Sequence, residues 1–337
     1  SAIRGVLELF RKDEVTLEEA AAVAALPAFR EMIQHRRDLG YLPEPLVTEE
    51  GLARLLRHAA SRAPLEMIWK WLSSQNLFDL ADVFMHRAEY EVLVETLEAH
   101  AEEIAVHILG TIAQYATEEM RKEPFHDRVS FTVGWGIAGW ATKATGGINL
   151  EHYKEDYDRL LITLTHETFH RFQLRVCLAD PTVGERARSF EDLTRFPFPD
   201  ERDRKFYEII SYIFLEGAAT FVAPSHPPTD LEASIRQGAE LLRECFEAIY
   251  HKRDLERAEE LLNEGLKSNG PFYWGGAHMA EKIVGKYGNA GLGQSLQEGS
   301  PGFFLRYCSI EADAGLGLNR EITGKAQELA AIKDNST

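Results

Sequence analysis

The sequence predicts a mostly helical α+β chain, and three observations carry that prediction. Apolar residues recur at three- and four-residue spacing through residues 1–123, with few strand signals. One stretch changes texture: VSFTVGW, from Val129, alternates and is rich in β-branched and aromatic residues, GIAGWATKATGG supplies glycines, and INLEHY follows. It reads as a strand, a glycine-rich turn and a second strand, hence a short antiparallel sheet. Directly after it, residues 159–177, RLLITLTHETFHRFQLRVC, carry apolar residues on nearly every side without Gly or Pro, which is the pattern of a helix buried all round.

The elements follow in order. Thr16 with Glu19 three residues on forms a capping box for a helix that ends at Gly40, with Pro27 kinking or dividing it. The prolines of YLPEPLV mark a linker. Helices are expected over 49–61, 64–73, 76–86 and 88–121, the last ending before Pro124. They show no repeat of fixed length and form a helical wall, with His58, His86, His100 and His107 on solvated or interfacial faces. Beyond Cys177, the stretch from Ala179 to Pro199 is polar and reads as a long loop with a short helix; the next helix starts near Asp200 and stops at Pro224. Thr229 and Glu232 suggest a second capping box for a helix to about Tyr250, Asp254 starts another that ends at Asn269-Gly270-Pro271, and a final helix begins after Asn319. This gives three segments: a helical region over 1–125, a core over 126–290 and a helical tail over 291–337.

With 337 residues, 45% of them hydrophobic, the chain can bury a large core. A formal net charge of -17 excludes nucleic acid and anionic membrane surfaces as expected partners, because both reward positive charge. Three widely spaced cysteines, Cys177, Cys245 and Cys308, make neither a disulfide framework nor a cysteine zinc site and fit a reducing, cytoplasmic setting. No apolar run is long enough to predict a membrane span. The first residue is not Met, which leaves room for a leader removed beforehand.

The chemistry concentrates in His166, Glu167 and His170, a His-Glu-x-x-His pattern. On a helix the two histidines project from one face a turn apart, within reach of one metal ion, while Glu167 lies about 100° further round. Ring nitrogens buried in an apolar helix need partners, since an unpaired polar group costs roughly 1–3 kcal/mol. The next long helix is almost wholly apolar from Ile209 to Val222 except for Glu216. A carboxylate there must be paired, protonated or bound to metal, so Glu216 is the expected third ligand, the alternative being a salt bridge with Arg171 or Arg175. Gly217, Ala218 and Ala219 keep the neighbourhood small and would let this helix approach the first one closely.

Two His and one Glu leave a zinc ion an open fourth position, the arrangement of a catalytic site, with one Zn2+ expected per chain and Glu167 as general base. Thr220 and Asp180 are candidates to accept a hydrogen bond from a ligand imidazole. An exposed strand edge beside the ion could pair with an extended peptide, which points to Gly146, Gly147 and Ile148, although an ordinary hairpin supporting the helix fits the same residues. Tyr273, and after it His278, are candidate donors to an oxyanion from the stretch GPFYWGGAHMAEKIVGKYG, where packing is the alternative role.

HETFH followed by LEGAAT resembles the gluzincin group of zinc metallopeptidases. The metzincin pattern would need glycine at position 173 and histidine at position 176, where this chain has Gln173 and Val176. The glycine-rich hairpin, HETFH, LEGAATFVAP and GPFYWGGAHMAEKIVGKYG together, about residues 129–290, resemble a bacterial family of zinc-dependent peptidases. The resemblance implies a gluzincin-like core, zinc on His166, His170 and Glu216, Glu167 as base, and a peptide or protein as substrate. Where thermolysin-like enzymes carry Asp one turn after the ligand Glu, this chain has Thr220. A zinc hydrolase of a non-peptide amide or ester, and a non-catalytic binding protein on a peptidase scaffold, are the other readings of the same residues.

Overall fold

A computed structural model of the chain describes residues 2–39, 47–61, 80–122, 128–133, 138–141, 146–153, 156–177, 194, 196–310, 316, 318 and 320–334. The expected helix over 64–73, Asp180, and most of the linker YLPEPLV and of the loop before Pro199 lie outside these residues. The chain divides into two compact units, Ser1–Ile108 with His126–Glu167, and Leu109–Phe125 with Thr168–Thr337. This division cuts across the three segments read from the sequence.

The first unit contains α1 (Ala2–Phe10), α2 (Leu17–Ala24), α3 (Pro27–Leu39), α4 (Glu49–Ser61), α5 (Leu80–Met85), α6 (Arg87–Ala99) and the start of α7 (Ala101–Ala113). The capping box at Thr16 and Glu19 is present, and Pro27 divides the helix in two because the ring opens α3 at its first position. The single helix expected over 88–121 is instead α6 and α7, parted at His100, and α7 stops at Ala113. His58 and His86 are half-buried and His100 and His107 exposed, as expected of face residues.

The sheet corrects the sequence reading. Among the described residues it has three strands, β1 (Val129–Thr132), β2 (Gly139–Ala141) and β3 (Gly146–Asn149), in the order β1-β3-β2, and it is mixed rather than antiparallel. β1 runs parallel to β3, with Val129 opposite Gly146, while β2 runs antiparallel to it, with Trp140 opposite Gly147. The reason lies in the glycine-rich stretch, which supplies a strand of its own. Trp140 lays its indole across Gly147, where a Cβ would come within 1.8 Å of the ring, so the glycine opposite is what lets β2 pair. Because β2 turns the chain back between them, β1 and β3 run parallel.

α8 (Tyr157–Cys177) starts in the first unit and continues into the second. From Leu160 to Val176 none of its residues is exposed, which bears out a helix buried all round. The second unit continues with α9 (Glu201–Val222), α10 (Leu231–Phe246), α11 (Leu255–Leu266), α12 (Pro271–Ile310) and α13 (Arg320–Asp334). α9 and α11 begin where the sequence predicts, capped by Asp200 and Asp254, but α10 is capped by Asp230, whose side chain accepts from the Ala233 amide, rather than by Thr229. α12 bends at Gly288 and Gly299, where φ is 69° and 77°, values that favour glycine.

The α9–α12 crossing is the tightest part of this unit. A Cβ on Gly217 would lie 2.3 Å from the Gly276 Cα, and one on Gly276 would lie 2.1 Å from the Ile213 carbonyl oxygen. Backbone therefore touches backbone. The small residues after Glu216 do permit a close approach, and the helix that makes it at Gly217 is α12. Gly275 and Gly238 bring α12 against α10 in the same way, with a Cβ on Gly238 2.4 Å from the Pro271 carbonyl oxygen.

Candidate metal centre

α8 and α9 each bring donors to one point. His166, His170 and Glu216 offer one ligand atom each, and these atoms all lie within 4.8 Å of one another. The helical repeat places the two histidines on one face, one turn apart. Glu216 comes from the most apolar stretch of α9, where its side chain is only 13% exposed and that of His170 6%.

The closest pair is His170 Nε2 and Glu216 Oε2, 3.3 Å apart. A direct imidazolium–carboxylate hydrogen bond in a buried site would be shorter, about 2.7–2.9 Å. Donors bound to one tetrahedral zinc at roughly 2.0–2.2 Å stand about 3.4 Å from each other. The separation fits the ion better than it fits the ion pair.

His170 is oriented from behind by Gln173, one turn along α8. Gln173 is fully buried, its Oε1 lies 2.7 Å from His170 Nδ1, and its Nε2 donates to the Leu215 carbonyl at 3.0 Å. Sequence reasoning uses Gln173 only to exclude another motif and looks for the imidazole's partner at Thr220 and Asp180. Thr220 is buried on α9, but the acceptor facing His170 Nδ1 is Gln173. The signal was present: the rule that a polar group in an apolar helix must be paired, applied above to Glu216, applies equally to Gln173.

Glu167 lies outside the three-residue cluster and against the sheet. A Cβ on Gly139 would come 2.5 Å from Glu167 Cγ and 2.8 Å from its Oε1, so the bare backbone of β2 is what makes room for this carboxylate. Among the described residues β2 is an edge strand, whereas Gly146, Gly147 and Ile148 sit in the central strand, paired on both sides. The main chain bordering Glu167 is thus that of β2. Nearby, the buried Tyr153 hydroxyl donates to Thr163 Oγ1 at 3.0 Å, one turn before Glu167. Burial pushes this phenol up, and the negative charge of Glu167 adds to the effect, against the lowering pull of Thr163 and of the Arg159 guanidinium 5.5 Å from its ring.

Tyr273 and His278 are half-buried on the first turns of α12. Tyr273 stands one turn before Gly276, which meets the residue next to Glu216, and the His278 ring packs edge-on against Tyr307 at 6.4 Å. The glycines between them serve helix crossings.

A family model described as "Putative zinc dependent peptidase (DUF5700)" matches residues 21–310 of the chain. Neither the curated proteins nor the solved structures gave a match. Among the described residues no helix is long and apolar enough to cross a membrane.

Proposed function

We propose a peptide-bond hydrolase of gluzincin type, on the premise that the chain belongs to this family of zinc dependent peptidases. The observation that carries the reading is the convergence of His166, His170 and Glu216, with His170 and Glu216 at the spacing of two donors to one ion. These three residues would hold one zinc. Zinc bound there supplies Lewis acidity, polarising a carbonyl and lowering the pKa of a coordinated water toward ~7.

The chain supplies the rest. Glu167, next to the ligands but not among them, takes a proton from the attacking water and delivers it to the departing amine. Among the described residues β2 is an edge strand beside that carboxylate, and an extended peptide that adds to the sheet there presents its scissile bond to Glu167. This moves the substrate-binding role from Gly146, Gly147 and Ile148 to Gly139 and its neighbours in β2. Tyr273, half-buried near the Glu216 helix, is the proposed oxyanion donor, ahead of His278.

The test pairs metal analysis with Glu167→Gln. The purified wild type should hold zinc in a one-to-one ratio and cleave a peptide library, and the variant should hold as much zinc while cleavage falls by about 10²–10⁴-fold. A variant as active as wild type removes Glu167 from the chemistry. A wild type that takes up no zinc removes the reading altogether.

A further inference from the structure

We infer that Gln173 is a positioning residue that presets the metal centre by joining its two helices through one buried amide. The inference rests on the zinc reading above. The network fixes its own hydrogen placement. The Leu215 carbonyl can only accept, so the amide nitrogen of Gln173 must be the end that faces it, at 3.0 Å. Oε1 is then the end that faces His170 Nδ1, at 2.7 Å, and since this oxygen also only accepts, Nδ1 carries the proton. In the neutral ring the lone pair is left on Nε2, the atom that faces Glu216 Oε2.

The same amide acts on the other helix. Leu215 immediately precedes Glu216 in α9, so the bond from Gln173 holds the backbone that carries the third ligand at a set distance from the helix that carries the second. Gln173 has no exposed surface, and water has no access to replace either bond. Glutamine suits this position because its amide carries an acceptor and a donor at the right reach. A carboxylate would turn an acceptor toward the Leu215 carbonyl, an asparagine would fall one methylene short, and a threonine cannot span two helices. The side chain must accept at one end and donate at the other.

The experiment measures zinc affinity by chelator competition, together with thermal melting of the zinc-free chain, for wild type, Gln173→Met and Gln173→Glu. Methionine keeps the volume and loses both bonds, whereas glutamate keeps the acceptor for His170 and loses the donor to Leu215. Gln173→Met should bind zinc about 10–100-fold more weakly than wild type, Gln173→Glu, which keeps one of the two bonds, about 3–10-fold more weakly, and both should melt lower without metal. A merely structural glutamine would lower the melting temperature of both variants and leave zinc affinity unchanged. A folded Gln173→Met or Gln173→Glu with wild-type zinc affinity therefore overturns the inference. If Gln173→Met does not fold, Gln173→Glu alone decides by the same criterion. Wild type that binds no zinc overturns the zinc reading itself, a result visible before any variant is made.

Discussion

Glu216 and Gly217 are neighbours on α9 and make opposite kinds of contact. Glu216 faces His170 of α8 in a crossing held by directed polar groups, with Gln173 bonded to both sides. Gly217 faces Gly276 of α12 in a crossing with no side chain at all at the point of contact. A polar crossing fixes particular atoms at particular separations, at the cost of desolvating them. A glycine crossing fixes only how near two backbones come, and dispersion and the apolar rows on either side supply its stability. Placing the two side by side on one helix lets the packing contact hold the carboxylate steady: α9 cannot slide without driving Gly217 into Gly276.

The difference predicts separable failures. The largest effect should come from Gly217→Ala or Gly276→Ala, because the added methyl meets backbone that cannot swing aside. Each should destabilise the chain by roughly 3 kcal/mol or more, read as a shift in the urea midpoint at an unchanged slope. Retained stability would mean that the helices are not in contact at this point. Next comes Glu216→Gln, which keeps shape and drops charge. Zinc affinity should fall by on the order of 100-fold while stability without metal stays within about 1 kcal/mol. If instead zinc binds unchanged, the carboxylate is not a ligand.

The two crossings were not equally legible in the sequence. The polar one was, because charge in an apolar stretch is conspicuous: Glu216 is the single charged residue between Ile209 and Val222, and HETFH gives the histidines. Gln173 escaped notice because an uncharged amide does not stand out, although it obeys the same rule. The glycine crossing was half legible. Gly217 announces a close approach, but which helix makes it depends on α12 arriving from far along the chain, and sequence periodicity does not encode such a pairing. The sheet failed for a related reason. Three residues around Trp140 are too short a run to declare a strand, and only the ladder to Gly147 makes them one. Helix starts, by contrast, are local: the cap at Thr16 and the starts at Asp200 and Asp254 stand where expected, with Asp230 displacing its neighbour Thr229 by one position.

A smaller effect sharpens the division of labour at the sheet. Gly139→Ala pushes against the Glu167 side chain from its Cγ outward, and a side chain can turn aside where backbone cannot, so the fold should survive. Peptide cleavage should drop by about 10–100-fold with zinc content unaltered, since the displaced carboxylate is outside the ligand cluster. Loss of zinc in this variant would show that Glu167 and the ligands are not separate.

The smallest effect belongs to the far end of α9, remote in sequence from both crossings. Tyr250 donates to Asp203 Oδ1 at 2.7 Å, and Lys325 of α13 reaches the same carboxylate at 3.4 Å and lies over the Tyr250 ring. Burial first, then the bond to Asp203, pushes the Tyr250 phenol well above its ordinary value, and burial pushes the nearby core thiol of Cys245 up to about 12. Both groups are neutral when protonated and have raised values in the folded chain. The stability they contribute is therefore complete below their unfolded values, about pH 9 for the thiol and about pH 10 for the phenol, and is lost as pH rises beyond them. Tyr250→Phe removes one bond, so at pH 7 it should cost about 1 kcal/mol, and the gap from wild type should narrow between about pH 10 and pH 12. Urea unfolding at a series of alkaline pH values measures the gap directly. A gap that stays constant would mean that the folded and unfolded chains release the phenol proton at the same pH, so that burial and the bond to Asp203 do not raise it.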